Sequence, residues 1–84
     1  MSVSNIDVSH TAFDLQLDVC GLECPLPLLK TKLCLKSMSV GQTLLVKTSQ
    51  ASSVRDFNLY ICSAGHALLN YDANGGIHRF WIQK

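Results

Sequence analysis

The stretch that decides the fold runs from Gly21 to Pro27 and reads Gly-Leu-Glu-Cys-Pro-Leu-Pro. Before it, residues 14–19 alternate between polar and apolar side chains, which is typical of a half-buried strand. The two prolines after the cysteine are tolerated in the first turn of a helix, because the N–H groups there have no acceptor within the helix. The stretch therefore predicts a strand that turns directly into a helix from Pro25 to about Ser37.

The leucines and lysines of this first helix predict which side is buried. The three-and-four spacing of the leucines favours a buried stripe formed by Leu26, Leu29 and Leu33. The lysines lie between them and are expected to face solvent, at Lys30, Lys32 and Lys36.

The remainder of the chain predicts a simple order of elements. They are a strand over 43–48, a helix with a buried stripe at Val54, Phe57 and Ile61, and two strands over 66–71 and 77–83. Gly65 is expected to cap the second helix, and Asn74-Gly75-Gly76 is a strong hairpin signal. The order βαβαββ predicts an α+β fold, a two-layer sandwich with two helices packed on one face of a four-stranded mixed sheet.

Length, composition and charge limit the classes of function. Eighty-four residues with 48% hydrophobic content can build one modest core, so we expect a flexible leader over 1–12 and a single domain over 13–84. The net charge of +1 argues against direct binding of nucleic acid, since phosphate neutralisation supplies most of that affinity. The sequence has neither a secretory signal nor a membrane-length apolar run, so a cytoplasmic protein with reduced cysteines is expected.

Cys24 is the predicted reactive residue, because it lies where the helix begins. The helix dipole and the first N–H groups of the helix favour a thiolate at this position, so we expect the pKa of Cys24 to be lowered. Gly21, Pro25 and Pro27 are expected to shape the turn that presents the sulfur, while the carboxylate of Glu23 opposes a second negative charge. A thiolate of this kind can attack a sulfane sulfur and become a persulfide.

The run from Leu17 to Lys32, Leu-Asp-x-x-Gly-Leu-x-Cys-Pro-x-Pro-Leu-Leu-Lys-Thr-Lys, resembles the signature of the TusA (SirA-like) sulfur-carrier family. Supporting matches are Gly41 with Leu44 and Val46, Asp56-Phe57, Gly65-His66, Leu68-Leu69, and Phe80 with Ile82. The resemblance covers about residues 14–84 and rests mainly on the cysteine–proline–x–proline core.

The resemblance implies a two-layer sandwich and a carrier without metal or other cofactor. Such a sulfurtransferase-type carrier takes sulfur from a cysteine desulfurase as a persulfide on Cys24 and passes it to an acceptor protein. The family's best-known use of that sulfur is thiolation of a tRNA wobble uridine. A monomer is the expected state. Two departures from the family pattern, Ser49-Gln50 in place of Asp-Pro and Ala67 in place of Glu, are expected to lie outside the motif and to affect which partner docks.

Two other functions remain open. Cys20 could act with Cys24 in a dithiol redox protein, or it could be an uninvolved residue at the strand end. The domain could also be a non-catalytic binding or regulatory module whose cysteine motif only shapes the start of the helix.

The other candidate side chains are expected to be structural. Cys34 and Cys62 should fill the core. His66 could donate a proton to a leaving thiolate, but a hydrogen-bonded structural role is favoured, and the spacing of Cys20, Cys24, His66 and His78 is a weak zinc signal. Of Phe80 and Trp81, alternation requires one to point away from the core, where an exposed aromatic could contact a partner.

Overall fold

The computed structural model describes residues 12–23 and 25–84. The predicted leader therefore falls, except for its last residue, outside the described residues. The elements are β1 (Leu15–Asp18), α1 (Leu26–Ser37), β2 (Thr43–Thr48), α2 (Ser53–Ala64), β3 (Ala67–Asn74) and β4 (Ile77–Gln83). The predicted βαβαββ order is confirmed. No helix in the described part of the chain is long and apolar enough to span a bilayer.

The four strands form one mixed sheet in the order β1-β2-β4-β3. β1 runs parallel to β2, and α1 makes the crossover between them, whereas the β2–β4 and β3–β4 pairs are antiparallel. The tight connection between β3 and β4 is Gly75-Gly76, with φ values of 60° and 82°. Positive φ at both positions is the requirement of a type I′ turn, so the predicted hairpin is confirmed.

Both helices pack on one face of the sheet, as predicted. The core consists of Val19, Leu35, Met38, Leu44, Val46, Phe57, Ile61, Phe80 and Ile82. At its centre Phe57 of α2 stacks on Phe80 of β4, with ring centroids 4.8 Å apart. Gly65 ends α2 in the left-handed conformation, as predicted, with φ of 77°.

The face of α1 that was predicted to be buried is exposed. The exposed fractions of Leu26, Leu29 and Leu33 are 44%, 49% and 61%. The buried residues of the helix are instead Pro27, Thr31 and Leu35. Thr31 can be buried because its hydroxyl donates a hydrogen bond to the Pro27 carbonyl at 2.8 Å. The lysines of α1 are exposed, as predicted.

The helix-free face of the sheet also buries apolar side chains. Trp81 is opposite Leu45 in the β2–β4 register, and it points away from the core because its neighbour Phe80 points in. Yet Trp81 is only 2% exposed, and the Arg79 guanidinium lies 5.6 Å from its ring centroid. The expectation of an exposed aromatic in this strand was therefore wrong.

Candidate functional site: the loop between β1 and α1

The motif loop, residues 19–25, connects the carboxyl end of β1 to α1. Its first residue, Val19, is still bonded to the sheet, since its N–H donates to the Lys47 carbonyl at 2.8 Å. The chain then turns, with the Leu22 N–H donating to the Val19 carbonyl at 3.2 Å. Gly21 has φ of 85°, a left-handed conformation that side-chain-bearing residues rarely adopt. This explains why the motif has glycine at that position.

The two prolines occupy the start of α1. Pro25 immediately precedes the helix and Pro27 is its buried second residue. The Leu26 N–H donates to the Glu23 carbonyl at 2.8 Å, and the Leu29 N–H donates to the Pro25 carbonyl at 3.0 Å. These first-turn amides are therefore already engaged, and proline contributes none. The positive end of the helix dipole remains a source of stabilisation for a thiolate placed before the helix.

Cys24 itself lies outside the described residues. The structure describes both of its neighbours, Glu23 and Pro25, and both are exposed. The first turn of α1 contains no acidic residue that would offset the positive end of the helix. The lowered pKa expected for Cys24 thus stays a prediction. The helix that follows position 24 favours the thiolate, whereas the carboxylate of the preceding Glu23 opposes it.

Cys20 lines an open groove on the helix-free side of the sheet. The groove has a volume of about 380 Å³ and is lined by Asp18, Cys20, Lys47, Asn74, Ile77 and Arg79. The side chains of Asp18, Lys47 and Arg79 share a face because these residues are paired across β1, β2 and β4. α1 packs on the other face. The groove and the first turn of α1 therefore lie on different sides of the sheet.

The surroundings of Cys20 favour the neutral thiol. Partial burial raises the pKa of Cys20, and the hydrogen bond and negative charge of Asp18 raise it further, with Lys47 opposing them. Asp18 remains ionised, because the Cys20 N–H donates to its Oδ1 at 2.9 Å and this bond lowers the pKa of the carboxyl. A thiol in this state is a poor nucleophile, which weakens the dithiol interpretation.

The other two cysteines differ from each other. Cys34 is half-buried in α1 and packs against the core, as predicted. Cys62 is exposed, so the prediction that it fills the core was wrong. It directly follows the buried Ile61, and one residue along a helix turns the side chain by roughly 100°.

Each of the two histidines in the described part of the chain has a tyrosine hydroxyl as its hydrogen-bond partner, and His66 is also far from the motif loop. His66 precedes Ala67, which pairs with Gln83, and Gln83 in turn pairs with the first residue of β2. The motif loop lies at the opposite end of the strands, beyond the last residue of β1. The Nε2 of His66 lies 3.4 Å from the Tyr60 hydroxyl, in accord with the structural role. His78 Nδ1 lies 2.8 Å from the Tyr71 hydroxyl. Among the described residues, no three His, Cys, Asp or Glu side chains form a group that could hold a metal ion.

Comparison with known proteins agrees with the motif. The model of the family described as "Sulfurtransferase TusA" matches residues 15–84. The chain belongs to the TusA family. The "Sulfur carrier protein TusA" of Allochromatium vinosum is 42% identical over 72 residues, which is 86% of this chain and 95% of that protein. The "Putative sulfur carrier protein YrkI" of Bacillus subtilis is 38% identical over 71 residues, 84% of this chain and 95% of that protein.

The fold of this TusA-family chain is also that of a solved structure. The SirA-like protein from Desulfitobacterium hafniense superposes with a TM-score of 0.73, covering 83% of this chain and 96% of that one. Its sequence identity is only 18%, so the match concerns the fold. The resemblance inferred from the motif and the two-layer sandwich inferred from the element order are both confirmed.

One contact of the motif loop was not foreseen. The Gly21 N–H donates a hydrogen bond to Ser49 Oγ at 2.9 Å. Ser49 belongs to the Ser49-Gln50 departure from the TusA pattern, which was expected to lie outside the motif; the serine in fact contacts it. The sequence drew attention to Ser49 as a departure from the family pattern. Its contact with Gly21 could not be predicted, because the two residues are 28 positions apart in sequence. Ala67, the other departure, begins β3 at the far sheet edge.

Proposed function

We propose that this protein carries sulfur as a persulfide on Cys24, between a cysteine desulfurase and an acceptor protein. The observation that supports this most directly is the setting of the motif loop. Glu23 and Pro25 are exposed on either side of position 24, and α1 begins immediately after Pro25. A sulfur atom presented there is accessible to a partner and close to the positive end of a helix dipole. Gly21, Pro25 and Pro27 shape this turn.

The reaction consists of two exchange steps. The Cys24 thiolate attacks the outer sulfur of the donor's persulfide, forming a new sulfur–sulfur bond while the donor's thiolate leaves. The acceptor's cysteine thiolate then attacks the outer sulfur on Cys24, and the Cys24 thiolate is the leaving group. Each step transfers one sulfur atom with its proton and needs no external oxidant or cofactor, since thiolates exchange such bonds directly.

The exposed face of α1 is the surface we propose for docking. Leu26, Leu29 and Leu33 lie beside the exposed lysines of the same helix, and α1 has no acidic residue. An apolar patch with a basic border is complementary to an apolar patch with an acidic border. Both donor and acceptor must reach the same sulfur, so they would use this surface in turn.

The proposal extends to the reaction in which the delivered sulfur is used. Delivery towards thiolation of a tRNA wobble uridine is the use we infer from the family resemblance. We also propose that the protein acts in the cytoplasm, and as a monomer because it is so small. The net charge of +1 supports a protein acceptor in preference to direct contact with RNA.

The test is the mass of the intact protein after incubation with a cysteine desulfurase and cysteine. We expect a gain of about 32 Da, one sulfur atom, which is lost on adding a reductant. Cys24→Ala should not gain it, while Cys20→Ser should gain it as the wild type does. Loading that persists in Cys24→Ala would refute the assignment, and loading lost in Cys20→Ser would favour the dithiol mechanism. A Cys24 that alkylates no faster than free cysteine at neutral pH would favour the binding module.

A further inference from the structure

The turn after β2 reaches across to the motif loop. Beyond the bond between Val19 N–H and the Lys47 carbonyl, β1 and β2 separate, and the next connection is the 2.9 Å hydrogen bond from Gly21 N–H to Ser49 Oγ. The two residues are exposed, so this bond adds little to the stability of the core. What it does is hold one loop against another.

Ser49 is itself held in a turn with several internal hydrogen bonds. The Gln50 N–H donates to Thr48 Oγ1 at 3.2 Å, and the Ser53 hydroxyl donates to Gln50 Oε1 at 3.3 Å. The Ser53 N–H also donates to the Gln50 carbonyl at 3.0 Å. Thr48 and Ser53 are almost completely buried, so the turn is anchored at both of its ends. The backbone that carries Ser49 is therefore held in place, and its hydroxyl accepts the bond from Gly21.

The orientation of the Gly21 N–H is set by the turn in the motif loop. The positive φ of Gly21 turns the chain, and the hydrogen bond from Leu22 N–H to the Val19 carbonyl closes that turn. The Cys20 N–H is occupied by Asp18 Oδ1. The Gly21 N–H points out of the turn to Ser49, and without the hydroxyl it would have water as its partner.

We propose that Ser49 is a positioning residue for Cys24. This inference rests on the proposed function, because it concerns how the sulfur is presented. Position 24 is three residues after the bonded Gly21 and two before Leu26, where α1 begins. One end of this short segment is held by the helix and the other by the hydrogen bond to Ser49. Loss of the hydroxyl releases one of the two ends.

The experiment compares Ser49→Ala with Ser49→Thr, which keeps a hydroxyl, and with Ser52→Ala. Ser52 lies in the same turn and makes no side-chain capping bond, so it is the matched control. Hydrogen exchange at the Gly21 amide reports directly on its hydrogen bond to Ser49, which we call the tether. We expect this amide to exchange faster in Ser49→Ala, but not in Ser49→Thr or Ser52→Ala. We expect the rate of sulfur loading on Cys24 to fall about fivefold in Ser49→Ala, which corresponds to ~1 kcal/mol.

Two further measurements separate positioning from a loss of folding. The urea midpoint of Ser49→Ala should stay close to that of the wild type. The alkylation rate of Cys24 in the folded variant should change; it is measured against pH, with the label assigned to Cys24 by peptide mass after digestion. Wild-type loading and alkylation in a folded Ser49→Ala would overturn the inference while leaving the carrier function intact. Equal effects in Ser52→Ala would also overturn it. Absence of loading in the wild type would refute the proposed function, whereas the Gly21 exchange would still test the tether.

Discussion

Paired leucine truncations test which face of α1 packs on the sheet. Leu35 is 1% exposed and belongs to the core, whereas Leu33, on the same helix, is 61% exposed. A buried leucine replaced by alanine costs about 2–5 kcal/mol, so Leu35→Ala is expected to destabilise the protein by ~3 kcal/mol. An exposed substitution changes stability by roughly 0.5 kcal/mol or less, which is the expectation for Leu33→Ala. The intrinsic helix propensity changes equally in the two variants and cancels in the comparison.

Urea unfolding measures this difference. With a slope of about 1.5 kcal/mol per molar urea, the midpoint of Leu35→Ala should fall by roughly 2 M, and that of Leu33→Ala should hardly move. A protein of this size has a total stability of roughly 4–13 kcal/mol, so Leu35→Ala removes a large share of it. Equal losses in the two variants, or a larger loss at Leu33, would mean that the leucine stripe faces the core as the spacing had suggested, and the packing described for α1 would be refuted.

Three further outcomes are expected. Asp18→Asn removes the negative charge that raises the pKa of Cys20, so alkylation of Cys20 against pH should have a lower midpoint; an unchanged or higher midpoint contradicts the thiol environment described above. Gly65→Ala places a side chain at φ of 77° with no atom within 4 Å, so backbone strain alone should cost about 1–2 kcal/mol in urea unfolding. Leu33→Glu should preserve stability but raise the KM for sulfur loading from a desulfurase about tenfold, as expected for loss of one apolar contact; an unchanged KM would exclude this face from docking.

Local signals in the sequence were sufficient for most of the sheet. The bounds of β2 and β4 agree with the predicted ranges 43–48 and 77–83, because alternation and the Asn74-Gly75-Gly76 turn define them within a few residues. β3 extends to Asn74, beyond the predicted end at residue 71. Its additional residues pair with β4 across the hairpin, and such pairing adds hydrogen bonds that propensity does not anticipate.

The orientation of α1 could not be predicted from periodicity. Leucines occur on both sides of the helix, so the stripe through Leu29 and the side that contains Leu35 are both apolar. Periodicity also places Thr31 outside the core because it is polar, whereas its burial is permitted by the bond to the Pro27 carbonyl. That acceptor is a main-chain carbonyl of the first helical turn, which a residue of any type at position 27 would supply.

The exposed leucines of α1 have a simple explanation. A carrier that hands one atom between two proteins needs a surface beside that atom, and a small domain has few places to provide one. Burying Pro27, Thr31 and Leu35 leaves an apolar side of α1 that is continuous with the end of the motif loop. Packing on the sheet does not account for these leucines, because the core forms without them. Their exposure beside position 24 is therefore better explained by contact with a partner than by the needs of the fold.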